Sequence, residues 1–197
     1  MNIKEAIVDF MKEQAYKPMN IKELERVFCI KKTDTKNFKK IVDEIEREGN
    51  IVKTRTNRYG IPDRMGLVTG KFQGHQKGYG FVIPYDGDKD IFVASSSLNG
   101  AMNGDKVVVK ITKQGNTEKK CEGEIIRVLE RANSKVIGTF ENSRNFGFVV
   151  PEEKRIYQDI FIPKNCKKEA ETGDIVIAEI TQWPDKRRNP EGKIVDV

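Results

Sequence analysis

Lys77-Gly78-Tyr79-Gly80-Phe81-Val82-Ile83-Pro84 is answered further along the chain by Arg144-Asn145-Phe146-Gly147-Phe148-Val149-Val150-Pro151. A pattern that returns at a near-constant offset means two copies of one fold, and the match extends outward from this block in both directions. Upstream, Val68-Thr69-Gly70-Lys71-Phe72 pairs with Val136-Ile137-Gly138-Thr139-Phe140. Downstream, Asp90-Ile91-Phe92-Val93 pairs with Asp159-Ile160-Phe161-Ile162, and Gly104-Asp105-Lys106-Val107-Val108-Val109 with Gly173-Asp174-Ile175-Val176-Ile177-Ala178. Glu122-Gly123-Glu124-Ile125-Ile126 closes the series against Glu191-Gly192-Lys193-Ile194-Val195. The offset drifts only between 67 and 69 residues, so length changes fall in the loops. Each copy holds five short β-rich blocks separated by Gly, Asn, Asp and Pro turns, the spacing of a small five-stranded barrel. Leu129 to Lys135 form a brief charged connection, too short for a flexible linker, which predicts two barrels lying close together.

The first 65 residues follow a different period. Ile3, Ile7 and Phe10 recur at helical spacing, then Ile21, Leu24 and Phe28, then Phe38, Ile41, Val42 and Ile45. Pro18 and Asn20 punctuate the first gap, Thr33 or Asp34 is placed to cap the third helix, and Gly49 to end it. Ile51-Val52-Lys53-Thr54-Arg55 and Arg58-Tyr59-Gly60-Ile61 flank Thr56-Asn57 as a hairpin. Three helices and a hairpin predict a winged helix-turn-helix. The predicted fold is therefore α+β and multi-domain: a winged helix over 1–65, then five-stranded OB-fold barrels over 66–134 and 135–197.

Of the 197 residues 37% are hydrophobic, enough for several modest cores in series rather than one large one. Lys and Arg number 36 against 30 Asp and Glu, a formal +6 that favours a polyanionic partner. The basic and acidic counts are 15 and 11 over 1–65, 10 and 8 over 66–134, and 11 and 11 over 135–197, so the excess lies in the first two thirds. Cys29, Cys121 and Cys166 are odd in number, far apart and without CxxC spacing, which points to neither disulfides nor zinc. The acid-containing, amphipathic start and the lack of a long apolar run predict a protein of the cytoplasm with no membrane partner.

Residues two apart on a strand share a face, so Tyr79 and Phe81 lie together, as do Phe146 and Phe148, with Val82 turned the other way. Phe92 and Phe161 sit between β-branched neighbours that turn inward, which extends each aromatic face to the next strand. Such faces, with glycines leaving the neighbouring surface bare, are platforms for stacking unpaired bases. Lys77 and Arg144 lie beside them, placed to meet phosphates. The competing reading makes the aromatics barrel core, but Val82, Ile83, Ile91 and Val93 already supply an inner face, and the arrangement occurs twice in register. Phe72 and Phe140 stay open between the two faces.

Lys77-Gly78-Tyr79-Gly80-Phe81-Val82 resembles the first RNA-binding motif of cold-shock domains, and Ile91-Phe92-Val93 the second. The order of winged helix and two cold-shock domains resembles, over essentially the whole chain, the N-terminal region of the ribonuclease R family, 3′ to 5′ exoribonucleases of the RNase II/RNB group. Ala94 and Pro163 depart from the histidine common in cold-shock domains, and Asn145 stands for Gly78, which leaves the second copy the weaker site. The resemblance implies a single-stranded or structured RNA partner, and hydrolysis by a separate domain whose clustered aspartates hold Mg²⁺. No such cluster follows the second barrel here, so the expectation is a fragment or truncated product that binds RNA without a catalytic residue, cofactor or metal of its own.

Asp86-Gly87-Asp88-Lys89-Asp90 begins like a calcium loop, but Ile91 stands where the tight-turn glycine belongs and Ser97 where the bidentate glutamate belongs. His75 is the only histidine, which leaves no triad for Ser95-Ser96-Ser97 and no His-based metal site. Lys36, Lys39 and Lys40 on the third helix, with Lys53, Arg55 and Arg58 on the hairpin, form either a contact surface for a nucleic-acid backbone or an ordinary solvated face. The functional expectation is an RNA-binding module that recruits or guides RNA to a nuclease domain. Its rivals are a self-contained RNA chaperone or winged-helix regulator, and a fragment that itself cleaves RNA.

Overall fold

Asn2 opens the first helix, α1 (Ile3–Lys12), by accepting the Lys4 N–H at 3.3 Å in the computed structural model, which describes residues 2–197. The second helix, α2 (Ile21–Val27), begins with a reciprocal capping box: Asn20 Oδ1 accepts the Glu23 N–H and Glu23 Oε2 accepts the Asn20 N–H, both at 2.9 Å. The third, α3 (Thr35–Arg47), has Asp34 at its N-cap position, yet that side chain makes no capping bond. Gly49, at φ 83°, ends it in the left-handed conformation, with the Asn50 N–H returning to the Ile45 carbonyl at 3.2 Å.

The apolar stripes of the three helices meet in one core of Ile7, Met11, Leu24, Phe38, Val42 and Ile45, joined by Ile51 and Tyr59. Strands β1 (Val52–Lys53) and β2 (Tyr59–Gly60) pair antiparallel around a turn in which Asn57 takes φ 58°. The hairpin strands are shorter than the sequence suggests, and on the outer side of β2 the Tyr59 N–H donates to the Met19 carbonyl at 2.8 Å. Arg64 binds this unit together by donating to the carbonyls of Met11, Glu13 and Gln14 around the C-terminal end of α1.

The chain divides into two compact units, Met1–Thr69 and Gly70–Val197. The five β-rich blocks of the first copy form β3 (Leu67–Gly74), β4 (Gly80–Pro84), β5 (Ile91–Val93), β6 (Lys106–Lys113) and β7 (Cys121–Glu130). Those of the second form β8 (Lys135–Asn142), β9 (Phe146–Pro151), β10 (Ile160–Pro163), β11 (Ile175–Gln182) and β12 (Glu191–Asp196). Each set closes into a barrel in the order first, second, third, fifth, fourth. The third and fifth strands of each copy pair in parallel, Phe92 opposite Glu122 and Phe161 opposite Glu191. The connection between barrels is only Arg131–Ser134, since β7 runs on through Leu129 and Glu130.

Phe72 and Phe140 belong to the interior: both are buried, and each is bracketed by the same hydrogen bonds. The Phe72 N–H donates to the Asp105 carbonyl and the Gly104 N–H to the Phe72 carbonyl, while Phe140 repeats this with Asp174 and Gly173. This choice of face explains the glycines between the platform aromatics. A Cβ on Gly80 would lie 2.4 Å from the Phe72 ring, and one on Gly147 2.4 Å from the Phe140 ring. They turn inward to admit a core phenylalanine, and the expectation that they bare the outer surface is corrected accordingly. Ile83 is a second correction: it is 40% exposed opposite Lys71, because strand alternation that buries Val82 must turn its neighbour out.

Candidate nucleic-acid interface

On the outer face of the first barrel Phe81 and Phe92 are direct cross-strand partners with ring centres 5.7 Å apart. Tyr79, just before β4, stands 6.1 Å from Phe81 and 5.5 Å from Phe92. The second barrel builds the same triangle: Phe148 faces Phe161 at 5.8 Å, with Phe146 5.5 Å from Phe148 and 5.7 Å from Phe161. Phe146 is exposed and the other five are half-buried, so each ring rests on its neighbours and keeps a face or edge toward solvent. The inner positions of the same strands, Val82, Ile91 and Val93 in one copy and Val149, Ile160 and Ile162 in the other, are buried. The structure thus brings together all six aromatics that the sequence singled out, in two separate groups of three.

The two faces differ in their surroundings. Lys120, in the loop before β7, holds Nζ 4.8 Å from the centre of the Phe81 ring, a cation over an aromatic face. Among the described residues no cation lies over a ring of the second face. His75 lies nearly parallel to Tyr79, 10° between planes and 4.4 Å between centres, and its Nδ1 accepts the Lys77 N–H at 3.1 Å. Lys77 and Arg144 are exposed in the matching turns between the first two strands of each barrel. Those turns differ by one residue. The first closes with the His75 N–H on the Tyr79 carbonyl and needs Gly78 at φ 93°, whereas the second closes with the Ser143 N–H on the Phe146 carbonyl. Lys167 ties the second turn down, donating from Nζ to Asn142 Oδ1 at 2.7 Å and the Ser143 carbonyl at 2.6 Å.

Of the basic residues picked out in the first unit, Lys36 and Lys40 are exposed on α3, and Lys39 pairs with Asp43 one turn on at 3.1 Å. Lys53 is half-buried in β1 and Arg55 is exposed in the hairpin turn. Arg58 is engaged within its own unit: Nη1 donates to the Pro18 carbonyl and to Glu23, each at 2.9 Å. That guanidinium links the hairpin to the start of α2.

The acidic residues do not converge, and among the described residues no group of three or more His, Cys, Asp or Glu is placed to hold a metal ion. Asp86 uses Oδ1 to accept the Asp88 N–H of its own exposed turn. Asp105 is fully buried and committed: it accepts the Met102 and Ala132 N–H groups at 2.9 Å and pairs with Arg131 at 3.1 Å. Burial raises its pKa, against the pull of those amides and of Arg131. Sequence reasoning did not find His75, Lys120 or Tyr157 as neighbours of the first face; the basic pair Lys119-Lys120 was the one visible signal, and nothing local ties it to a ring 39 positions earlier.

The ribonuclease B OB domain model matches residues 70–128 and the cold shock domain model residues 148–197. Ribonuclease R of Vibrio parahaemolyticus is 34% identical over 98% of this chain, and ribonuclease R of Acidithiobacillus ferrooxidans 30% identical over 98%. The chain spans 24% of the length of the first and 44% of the second. Mycoplasma genitalium RNase R, solved in complex with ribose methylated single-stranded RNA, superposes on 66% of this chain and 21% of its own with a TM-score of 0.57; at 21% identity that likeness is one of fold. No helix among the described residues is long and apolar enough to cross a membrane. Two barrels with matched aromatic faces, two domain models in the same order and two relatives that each align with nearly all of this chain agree: over 98% of its length this chain is homologous to the N-terminal region of ribonuclease R.

Proposed function

We propose that this chain is the single-stranded-RNA-binding portion of a ribonuclease R-like 3′ to 5′ exoribonuclease, recruiting RNA or guiding it to a nuclease domain. The observation that carries this is the twofold occurrence of three half-exposed aromatics on the outer face of a closed barrel, at matching strand positions. The second and third strands of an OB barrel, with its first and fourth loops, are where such folds take up oligonucleotides. Here those elements carry Tyr79, Phe81, Phe92 and Lys120 in one copy and Phe146, Phe148 and Phe161 in the other. Bases stack on the rings and Lys77, Lys120 and Arg144 meet the phosphates, a mode that tolerates any sequence and weakens with salt. The RNA-bound Mycoplasma relative supports an RNA ligand.

The three helices and hairpin of the first unit we read as a winged helix spanning 1–65, with Lys36, Lys39, Lys40, Lys53 and Arg55 as its backbone-contact surface and the barrels as domains 66–134 and 135–197. Catalysis and its Mg²⁺ belong, in this proposal, to the nuclease domain of the longer protein. The carboxylates described here do not fit a metal pair, which must grip attacking and leaving oxygens together. The setting is the cytoplasm, where such RNA is degraded.

The direct test is binding of a labelled oligonucleotide to the whole chain, single-stranded against duplex, with Tyr79 and Phe81 intact or both replaced by Ala. The proposal expects preference for the unpaired strand, loss of about 2 kcal/mol or more in the double variant, and RNA left intact with Mg²⁺ or Mn²⁺. Preference for a particular DNA duplex would favour a winged-helix regulator instead. Shortening from the 3′ end that survives repurification would show a nuclease in the chain itself.

A further inference from the structure

The two barrels meet at a seam. Met102, from the first copy, packs into the hydrophobic core of the second beside Ile156. Next to this contact the segment between β9 and β10 carries Tyr157 onto the turn of the first barrel that ends in Gly78. The fit is close: a Cβ on Gly78 would lie 3.1 Å from the Tyr157 ring carbons. Tyr157 therefore rests on the bare backbone of Gly78, where a side chain would press its ring outward by a few tenths of an ångström, and it remains 50% exposed. Together with His75 and Tyr79 it lines one crevice between the barrels.

We propose that the mouth of this crevice is a nucleobase-stacking subsite, built from His75 of the first barrel and Tyr157 of the second and continuous with the aromatic face of Tyr79, Phe81 and Phe92. The enclosed part of the crevice measures ≈ 20 Å³, room for about one water, so a base lies across the mouth and not within it. His75 covers Tyr79 in a parallel stack and is held there by the Lys77 N–H on Nδ1, so the outermost ring of the first face is the imidazole. Arg155, which lines the crevice, and Lys77, next in sequence to Gly78, are both exposed, and in this proposal they partner the phosphates of a strand that passes from the face onto the seam. The second barrel has no counterpart: its matching turn has Ser143 in place of His75 and is one residue shorter. The subsite thus belongs to the tandem arrangement, which gives the short connection Arg131–Ser134 a role in binding.

This inference rests on the reading of the first aromatic face as an RNA platform, and its test separates the two. The whole chain is mixed with an oligouridylate of about 12 nucleotides, long enough for one or more OB sites, carrying 5-iodouridine, then irradiated, digested and mapped by mass spectrometry. Adducts on Tyr157 or His75, in addition to Tyr79 or Phe81, are expected. Adducts on Tyr79 or Phe81 with none on Tyr157 or His75 would overturn the subsite and leave the platform standing, while failure to bind the oligonucleotide would overturn both. In parallel, Tyr157→Leu keeps an apolar side chain on Gly78 but removes the ring, and is expected to weaken binding about fivefold or more. Tyr157→Phe keeps the ring and is expected to stay within about twofold of the native chain. A Tyr157→Leu protein with unchanged melting and unchanged affinity would sink the proposal, as would equal loss in Tyr157→Phe.

Discussion

The guanidinium of Arg131 lies over the indole of Trp183, 4.4 Å from the ring centre, so the connection between the barrels is stacked on a residue of the second copy. The same guanidinium donates to the Gly100 carbonyl and to buried Asp105. It joins both barrels and the segment between them in one arrangement. The repeat therefore behaves as a unit whose weak points can be named.

Asp105→Ala is expected to cost about 3 kcal/mol or more, because it strips bonds from two backbone N–H groups and leaves a half-buried arginine without its partner. The equivalent Asp174→Ala should cost about 1 kcal/mol, since that side chain is only half-buried and accepts the Glu171 N–H at 2.8 Å. Chemical denaturation of the two variants checks the order; equal losses would contradict it.

Phe72→Ala and Phe81→Ala sit nine residues apart and should separate stability from binding. The buried Phe72 fills the space that Gly80 leaves, and its loss is expected to cost about 3–5 kcal/mol of stability. Phe81→Ala should leave the melting temperature nearly unchanged and lower RNA affinity about tenfold. A melt that falls as far for Phe81→Ala as for Phe72→Ala would return Phe81 to the core.

The two aromatic faces should be unequal. Phe81 has Lys120 over its ring and a neighbour, Tyr79, stacked on His75, whereas the second face has neither addition. Phe81→Ala is therefore expected to weaken binding of a single-stranded oligonucleotide by about 1–3 kcal/mol and Phe148→Ala by less. Isothermal titration of both variants of the whole chain decides, and a larger loss for Phe148→Ala refutes the ranking.

Glu23 carries a pH signature. The Asn20 N–H, and after it the charge of Arg58, hold its carboxylate below the usual glutamate range. A depressed pKa contributes stability above the unfolded value and loses it as the pH falls through the folded one. The stability gap between the native chain and Glu23→Gln should thus be constant near neutrality and close in acid. A gap that widens on acidification would show the sign to be wrong.

Much of this was legible in the residues. Five β-rich blocks repeated at 67 to 69 positions fixed the number and order of strands, and period-two spacing placed Tyr79 with Phe81 and Phe146 with Phe148. What escaped was what depends on a partner distant in sequence. Gly80 reads as bare surface until Phe72 is known to need its space. Arg58 reads as a free cation until the hairpin brings it to Glu23. Tyr157 carries no signal in the sequence, because the turn it covers lies 79 positions earlier and in the other copy.

The parallel pairing of third and fifth strands that closes each barrel has a last consequence. Closure pairs most of the strand edges in each barrel, and the third and fifth strands part after one or two residue pairs, so little free edge is left for a peptide to add as an extra strand or for growth edge to edge. Side chains and loops are left as the main vocabulary of recognition for residues 70–197. Two near-identical β folds can then sit in tandem, at high local concentration of each other, without zipping together.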